Sequence, residues 1–444
     1  MNIFKMNRSE IEERFDPKYI LYLQNMHSFK YEVFLLRNFL IEKPQYGTAE
    51  IGIPRTSLQQ PRYIRITDIN DFGELDDSLG ATVENCPSEY FLYKNDFLFA
   101  RSGSVGKTYL HKSLSYPSFF AGYMIRVRVD ETRLLPDYLF AYTQTVFYKN
   151  WVGAIQRAAV QPNINAREYA SLPIPLPPLP VQQNIVDLYT DAQNQRKRKL
   201  EESKKLLESV DDYLLSELGI ELPKKDNSLT NRIFISYFHN VIGGRIDPLA
   251  NILVLEKLRS NLKNSSFIYL KDVVTETKLI ETELSSSDTY VGLENIESNT
   301  GNYIITDEKE TISSALHFEK GQILFPKLRP YLNKVYLAEF NGLCSTEFHI
   351  FNGKNMDTNF LYYCLLSRIT LKQTSNLMTG NTLPRLQSSD ISHILIPNPP
   401  FEKQKEIVKQ IQQIRNRAKQ LKNEADIILQ EAKRKVEKMI LGEN

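Results

Sequence analysis

The feature that most limits what this chain can fold into is a proline cluster leading into a long run free of Pro and Gly, and it occurs twice. Pro173, Pro175, Pro177, Pro178 and Pro180 lead into Val181-Gln182-Gln183-Asn184-Ile185-Val186. Proline fixes φ and has no N–H, so the cluster stays extended. Leu, Glu, Lys, Gln and Arg dominate the run after it, which predicts a helix over about 181–218 with Gly219 as its left-handed stop. At 1.5 Å per residue that helix is ~57 Å long, beyond the ordinary globular range. Leu395 to Val408 repeats Pro173 to Val186 at constant offset, with Gln404 on Gln182, Ile407 on Ile185 and Pro399-Pro400 on Pro177-Pro178. A second breaker-free helix runs on to Leu441-Gly442. Its apolar positions are Ile407, Ile411, Ile414, Ala418, Leu421, Ala425, Ile428 and Ala432. Their alternating steps of four and three predict a coiled-coil seam, whereas a surface helix would drift at 3.6. The first helix carries Ile185, Tyr189, Ala192, Val210 and Leu214, with polar Arg196 and Lys199 in the middle of the seam.

The 444 residues are enough for two or three domains. A net charge of +2 neither requires nor excludes nucleic acid, so any basic surface is local. Cys86, Cys344 and Cys364 have no paired spacing, which points to a reducing compartment without disulfides or a zinc site. The polar start, Met1 to Glu10, and the lack of an 18-residue apolar window predict a cytoplasmic protein with no membrane partner.

The duplication extends beyond the helices. Arg14-Phe15-Asp16-Pro17 is echoed by Arg245-Ile246-Asp247-Pro248, Leu36–Leu40 by Leu270–Val274, and Tyr63–Ile69 by Tyr290–Ile296. Asp96–Arg101 is echoed by Gln322–Lys327, Lys107–Leu110 by Lys334–Leu337, and Pro136–Phe140 by Thr358–Tyr362. Tyr63–Ile69, Phe97–Ala100 and Met124–Val129 read as strands; Asp137–Trp151 and Asn359–Gln373 read as helices. The expected fold is α+β. Two similar α/β domains (1–175 and 223–397) are separated by two long antiparallel helices (176–222 and 398–444), with pseudo-two-fold symmetry and the C-terminus beside the N-terminus.

The two proline-rich helix starts, Pro-Pro-Leu-Pro-Val-Gln-Gln-Asn-Ile at 177–185 and Pro-Pro-Phe-Glu-Lys-Gln-Lys-Glu-Ile at 399–407, the Arg-x-Asp-Pro openings and the repeat plan resemble the specificity subunit of type I restriction–modification systems. The resemblance covers essentially the whole chain. It implies two target recognition domains, each reading one half of a split double-stranded DNA site. It also implies helices that act as spacer and as dock for two methyltransferase subunits, to which restriction/translocase subunits are added. No catalysis and no cofactor are expected in this chain; S-adenosylmethionine belongs to the methyltransferase partner.

The DNA-contact candidates lie on two loops per copy. Arg101, Ser102 and Lys107 follow one strand, and Lys327, Arg329 and Lys334 follow its echo. Arg binds guanine edges bidentately and Lys holds phosphates. The segment Arg101 to Thr108 resembles a phosphate loop, but the position that should be the leading glycine is Arg101, and copy two has no glycine there. The polar loops before the helices supply Arg157, Gln161 and Asn163, and Asn381 and Arg385; Asn reads adenine. Asn398-Pro399-Pro400-Phe401 imitates an adenine methyltransferase motif but reads as a helix start, because copy one has Leu176 in place of the asparagine. Arg196-Lys197-Arg198-Lys199 reads as a solvated face. Ile185, Tyr189, Ile407, Ile411 and Ile414 are the expected docking positions. The alternatives are a solo S-adenosylmethionine- or nucleotide-dependent enzyme, and a coiled-coil scaffold that touches no DNA.

Overall fold

The computed structural model describes residues 17–24, 29–76, 78–112, 115–156, 162–222, 267–282, 289–306, 314–375, 377–378 and 384–443. The chain divides into two compact units, residues 1–199 with 423–444, and residues 200–422. The long helices, Leu179–Glu217 and Phe401–Leu441, each contribute to both units. The division falls inside the two helices.

In the first unit, Phe97–Ala100 is the strand its aromatic run predicts. It pairs antiparallel with Thr108–Leu110 on one side and Met124–Val127 on the other, and Gln45–Tyr46 completes the sheet. In the second unit Ile323–Pro326 pairs antiparallel with Tyr336–Leu337 and Phe348–Gly353, and Val274–Thr277 completes it. Each unit adds a second four-stranded sheet with one parallel pair, Tyr63 against Phe119 and Tyr290 against Leu343. The proline clusters are short strands, Pro173–Pro175 against Val33–Leu35 and Leu395–Pro397 against Phe267–Tyr269.

Two expectations change. The strand predicted over Tyr63–Ile69 stops at Ile64, and Ile66–Asp68 is a 3-10 turn, because the Asp68 carboxylate accepts the Arg65 N–H at 2.9 Å. Asn295 does the same to the Gly292 N–H, at 2.9 Å, in the second unit. The predicted helices Asp137–Trp151 and Asn359–Gln373 are each two: Pro136–Thr143 and Val146–Ile155, Thr358–Leu366 and Arg368–Thr374. The breaks fall at Thr145 and Ser367, whose hydroxyls donate to the Tyr142 and Cys364 carbonyls three residues back.

The long helices end at Gly219 and Gly442, with φ of 63° and 80°. Within the first unit they run antiparallel: Lys199 pairs with Glu424 at 2.6 Å, and Arg196 faces Asp426. Ile185, Tyr189 and Ala192 share a core with Leu429, Ala432, Val436 and Ile440. Within the second unit Ser203 donates to the Ala418 carbonyl at 2.8 Å and Lys403 pairs with Glu217 at 2.6 Å. The buried seam of the second helix passes through Leu429 rather than Ile428, stepping by four where a strict heptad steps by three. The polar middle of the first seam is thus matched by ion pairs and a backbone acceptor. Arg196 is a correction. It is buried, its guanidinium lies 4.1 Å from the Phe72 ring centre, and it pairs with Glu74, while Lys197 and Arg198 are exposed.

The docking assignment is also corrected. Ile185, Tyr189, Ile407 and Ile411 are at most 2% exposed and belong to the units' own cores, and Ile414 packs against the second. Arg14–Asp16 and Arg245–Pro248 lie outside the described residues. The helix Pro17–Gln24 packs on Val146–Ile155, and the Lys30 N–H donates to Ile440 O at 3.2 Å.

Candidate nucleic-acid interface

Gln182 and Gln404, at 0% and 2% exposed, fix the helix starts. Gln182 accepts the Leu135 N–H at 2.9 Å and donates to Arg133 O and Pro177 O, both at 2.9 Å. Gln404 accepts the Asp357 N–H at 3.0 Å and donates to Pro399 O at 2.9 Å. Each glutamine ties its proline segment to the start of the buried helix pair. Asn398-Pro399-Pro400-Phe401 is accordingly a helix start, as expected.

The same backbone frame recurs beside each proline segment. In the first unit the Arg101 N–H donates to Tyr123 O at 2.9 Å, the Ile164 N–H to Arg101 O at 2.9 Å, and Ser102 bridges Asn163. In the second unit the Lys327 N–H donates to Glu347 O at 2.8 Å, the Leu386 N–H to Lys327 O at 3.0 Å, and Leu328 bridges Arg385. The loop after the strand and the loop before the helix, separate in sequence, are therefore one structure in each unit. At the far end of the strand loop, the Lys107 ammonium donates to Ile69 O at 3.1 Å and the Lys334 ammonium to Leu293 O at 2.8 Å. Both hold the 3-10 turns, and Lys107 also pairs with Asp71 at 3.0 Å.

The side chains on this frame differ. In the first unit the Arg101 guanidinium lies 4.7 Å from the Tyr46 ring centre, a cation–π contact that fixes its plane. Tyr123 beside it is 66% exposed. Asn163 is half-buried and Ser102 is buried. In the second unit Arg385 forms a two-point ion pair with Glu347, at 2.8 and 3.1 Å. The Lys327 ammonium donates to Thr346 O at 2.8 Å, and burial pushes its pKa down against the pull of Glu276 and Glu347. Arg329 is exposed. Tyr46, Tyr123 and Glu347 carried no signal in the sequence, because each reaches the loop from a distant strand or turn. Arg157, Gln161 and Asn381 lie outside the described residues.

Thr108–Leu110, after the glycine-containing loop, is a strand, so the loop lacks the helix start that a nucleotide phosphate loop requires. Among the described residues no cluster of His, Cys, Asp or Glu has metal-binding geometry, and no helix is long and apolar enough to cross a membrane.

The family described as the type I restriction modification DNA specificity domain matches residues 56–208 and 255–429. The chain is 38% identical over 107 residues, 24% of its length and 24% of the relative's, to the type I restriction enzyme EcoDI specificity subunit of Escherichia coli. It is 21% identical over 365 residues, 80% of each protein, to the type I restriction enzyme MjaVIII specificity subunit of Methanocaldococcus jannaschii. A solved chain from work on complex assembly and conformational transition of the type I R-M system shares 15% identity at a TM-score of 0.45, covering 93% of this chain and 98% of that one. The two matched segments fall one on each copy of the repeat, and together they place the chain in the type I restriction–modification DNA specificity family.

Proposed function

We propose that this chain is the sequence-reading subunit of a type I restriction–modification complex, each unit contacting one half of an interrupted, asymmetric double-stranded DNA site. The observation that carries the reading is the repeated loop frame with unlike side chains: Arg101 on Tyr46 in one unit, and Arg329, Arg385 and Glu347 in the other. A shared frame with different donors and acceptors suits two different half-sites. Base contacts at these loops select sequence, and basic side chains at phosphates set a salt-dependent affinity.

Methyltransferase subunits dock on outward positions of the long helices, since the apolar seam is buried within the chain. Catalysis, and the S-adenosylmethionine it consumes, belong to those partners, and restriction subunits add cleavage. Mapping methylated bases in the host with and without this chain tests the reading. A two-part asymmetric motif present only with the chain is expected. A continuous or palindromic motif, or an unchanged methylome, contradicts it.

A further inference from the structure

Five described residues other than glycine have positive φ. Four are Asn95, Asn299, Asn333 and Asn355, whose short side chains tolerate the left-handed region. The fifth is Arg329, at φ 48° and ψ 53°. In the first unit the equivalent place is Gly103, two residues past Arg101 as Arg329 is two past Lys327. Gly103 has φ 76°, and a Cβ there would meet nothing within 4 Å. The frame thus accepts glycine, and the second unit carries arginine against the preference of its backbone.

No side-chain contact among the described residues offsets that strain: the exposed Arg329 guanidinium has no hydrogen-bonding, ionic or ring partner there. Its neighbours are engaged, Lys327 on the Thr346 carbonyl and Arg385 on Glu347. The backbone beneath it is fixed, because the Arg329 N–H donates to Pro384 O at 2.8 Å. A strained residue on a fixed loop with a free planar donor fork is positioned for a ligand outside the chain.

We propose that Arg329 is a specificity-determining residue of the second unit and that it reads a guanine edge, whose O6 and N7 acceptors match two guanidinium N–H groups. This rests on the reading of each unit as a half-site reader. A phosphate contact would not need the planar fork or the strain, since a lysine on a relaxed backbone serves it.

The test maps methylated sites made by the complete complex carrying Arg329→Gly. One guanine position in one half-site should become degenerate, with discrimination falling about tenfold to a hundredfold. The other half should be unchanged, and the melting temperature unchanged or higher, because glycine suits the backbone. An unchanged motif overturns the proposal. So does a uniform affinity loss whose salt slope falls by about one phosphate contact. Exchanging residues 267–397 for those of a relative checks the underlying reading separately: if neither half of the motif moves, the unit does not read DNA, whatever Arg329→Gly does.

Discussion

The two units use one scaffold for two surfaces. Gln182 and Gln404, Lys107 and Lys334, and Asp68 and Asn295 occupy matching places and make matching backbone contacts. Arg101 and Lys327, Gly103 and Arg329, and Tyr123 and Glu347 also match in place but differ in chemistry. The first group holds the frame, and the second varies on it, with Gly103, Tyr123 and Arg329 exposed. Comparing the copies therefore separates the shared frame residues from those that differ, which are the recognition candidates of the proposed function.

The largest effect should come from the matched glutamines. Gln182→Ala strands a buried N–H and two carbonyls and should destabilise the first unit by about 3 kcal/mol. Gln404→Ala, which removes the bonds to Asp357 and Pro399, should cost the second unit about 2 kcal/mol. Hydrogen exchange in the strands Phe97–Ala100 and Ile323–Pro326 reads the two units separately. Equal losses in both units from either variant would erase the distinction between them.

A second contrast lies at His111, whose counterpart is Ala338. Both N–H groups donate to the carbonyl of the residue just before the central strand, Asp96 and Gln322. Burial lowers the His111 pKa to about 4. The unfolded chain then binds the proton more tightly than the folded one, so the stability His111 confers is complete above pH ~6.5 and is lost as pH falls toward 4, by about 2–3 kcal/mol. Burial also lowers the His349 pKa in the second unit, opposed by Glu276. His111→Asn should flatten the acid limb of exchange protection in the first unit alone; a change confined to the second unit would count against the assignment.

The smallest effect concerns the candidate reading loop. Gly103→Arg places the arginine of the second unit on the open left-handed position of the first. It should cost about 1 kcal/mol in stability, read by thermal denaturation. It should also alter base choice in the half-site of the first unit only. An altered second half-site would undo the correspondence between the loops.

Much of this plan was legible in the sequence, because proline, glycine and helix periodicity act locally. The prolines at 173–180 and 397–400 mark both helix starts, and Gly219 and Gly442 mark both ends. The helix begins two residues earlier than predicted, since Pro180 fits a first turn. Periodicity shows that a face is buried but not against what, so Ile185 and Ile407 read as docking positions when they are core. Arg196 read as solvated because Phe72 and Glu74, which cover it, lie far away in sequence. The breaks at Thr145 and Ser367 depend on hydroxyl bonds to the preceding turn, and the pairing of the two candidate loops depends on tertiary bridges.

If the two units read different halves of one site, then disabling one reader should leave the other intact. Methylome mapping of the assembled complex carrying Arg101→Ala or Arg329→Gly, one at a time, puts that to the test. Each variant is expected to relax base choice in one half only, and the two should affect opposite halves. Relaxation of the same half by both, or of neither half by either, would contradict it.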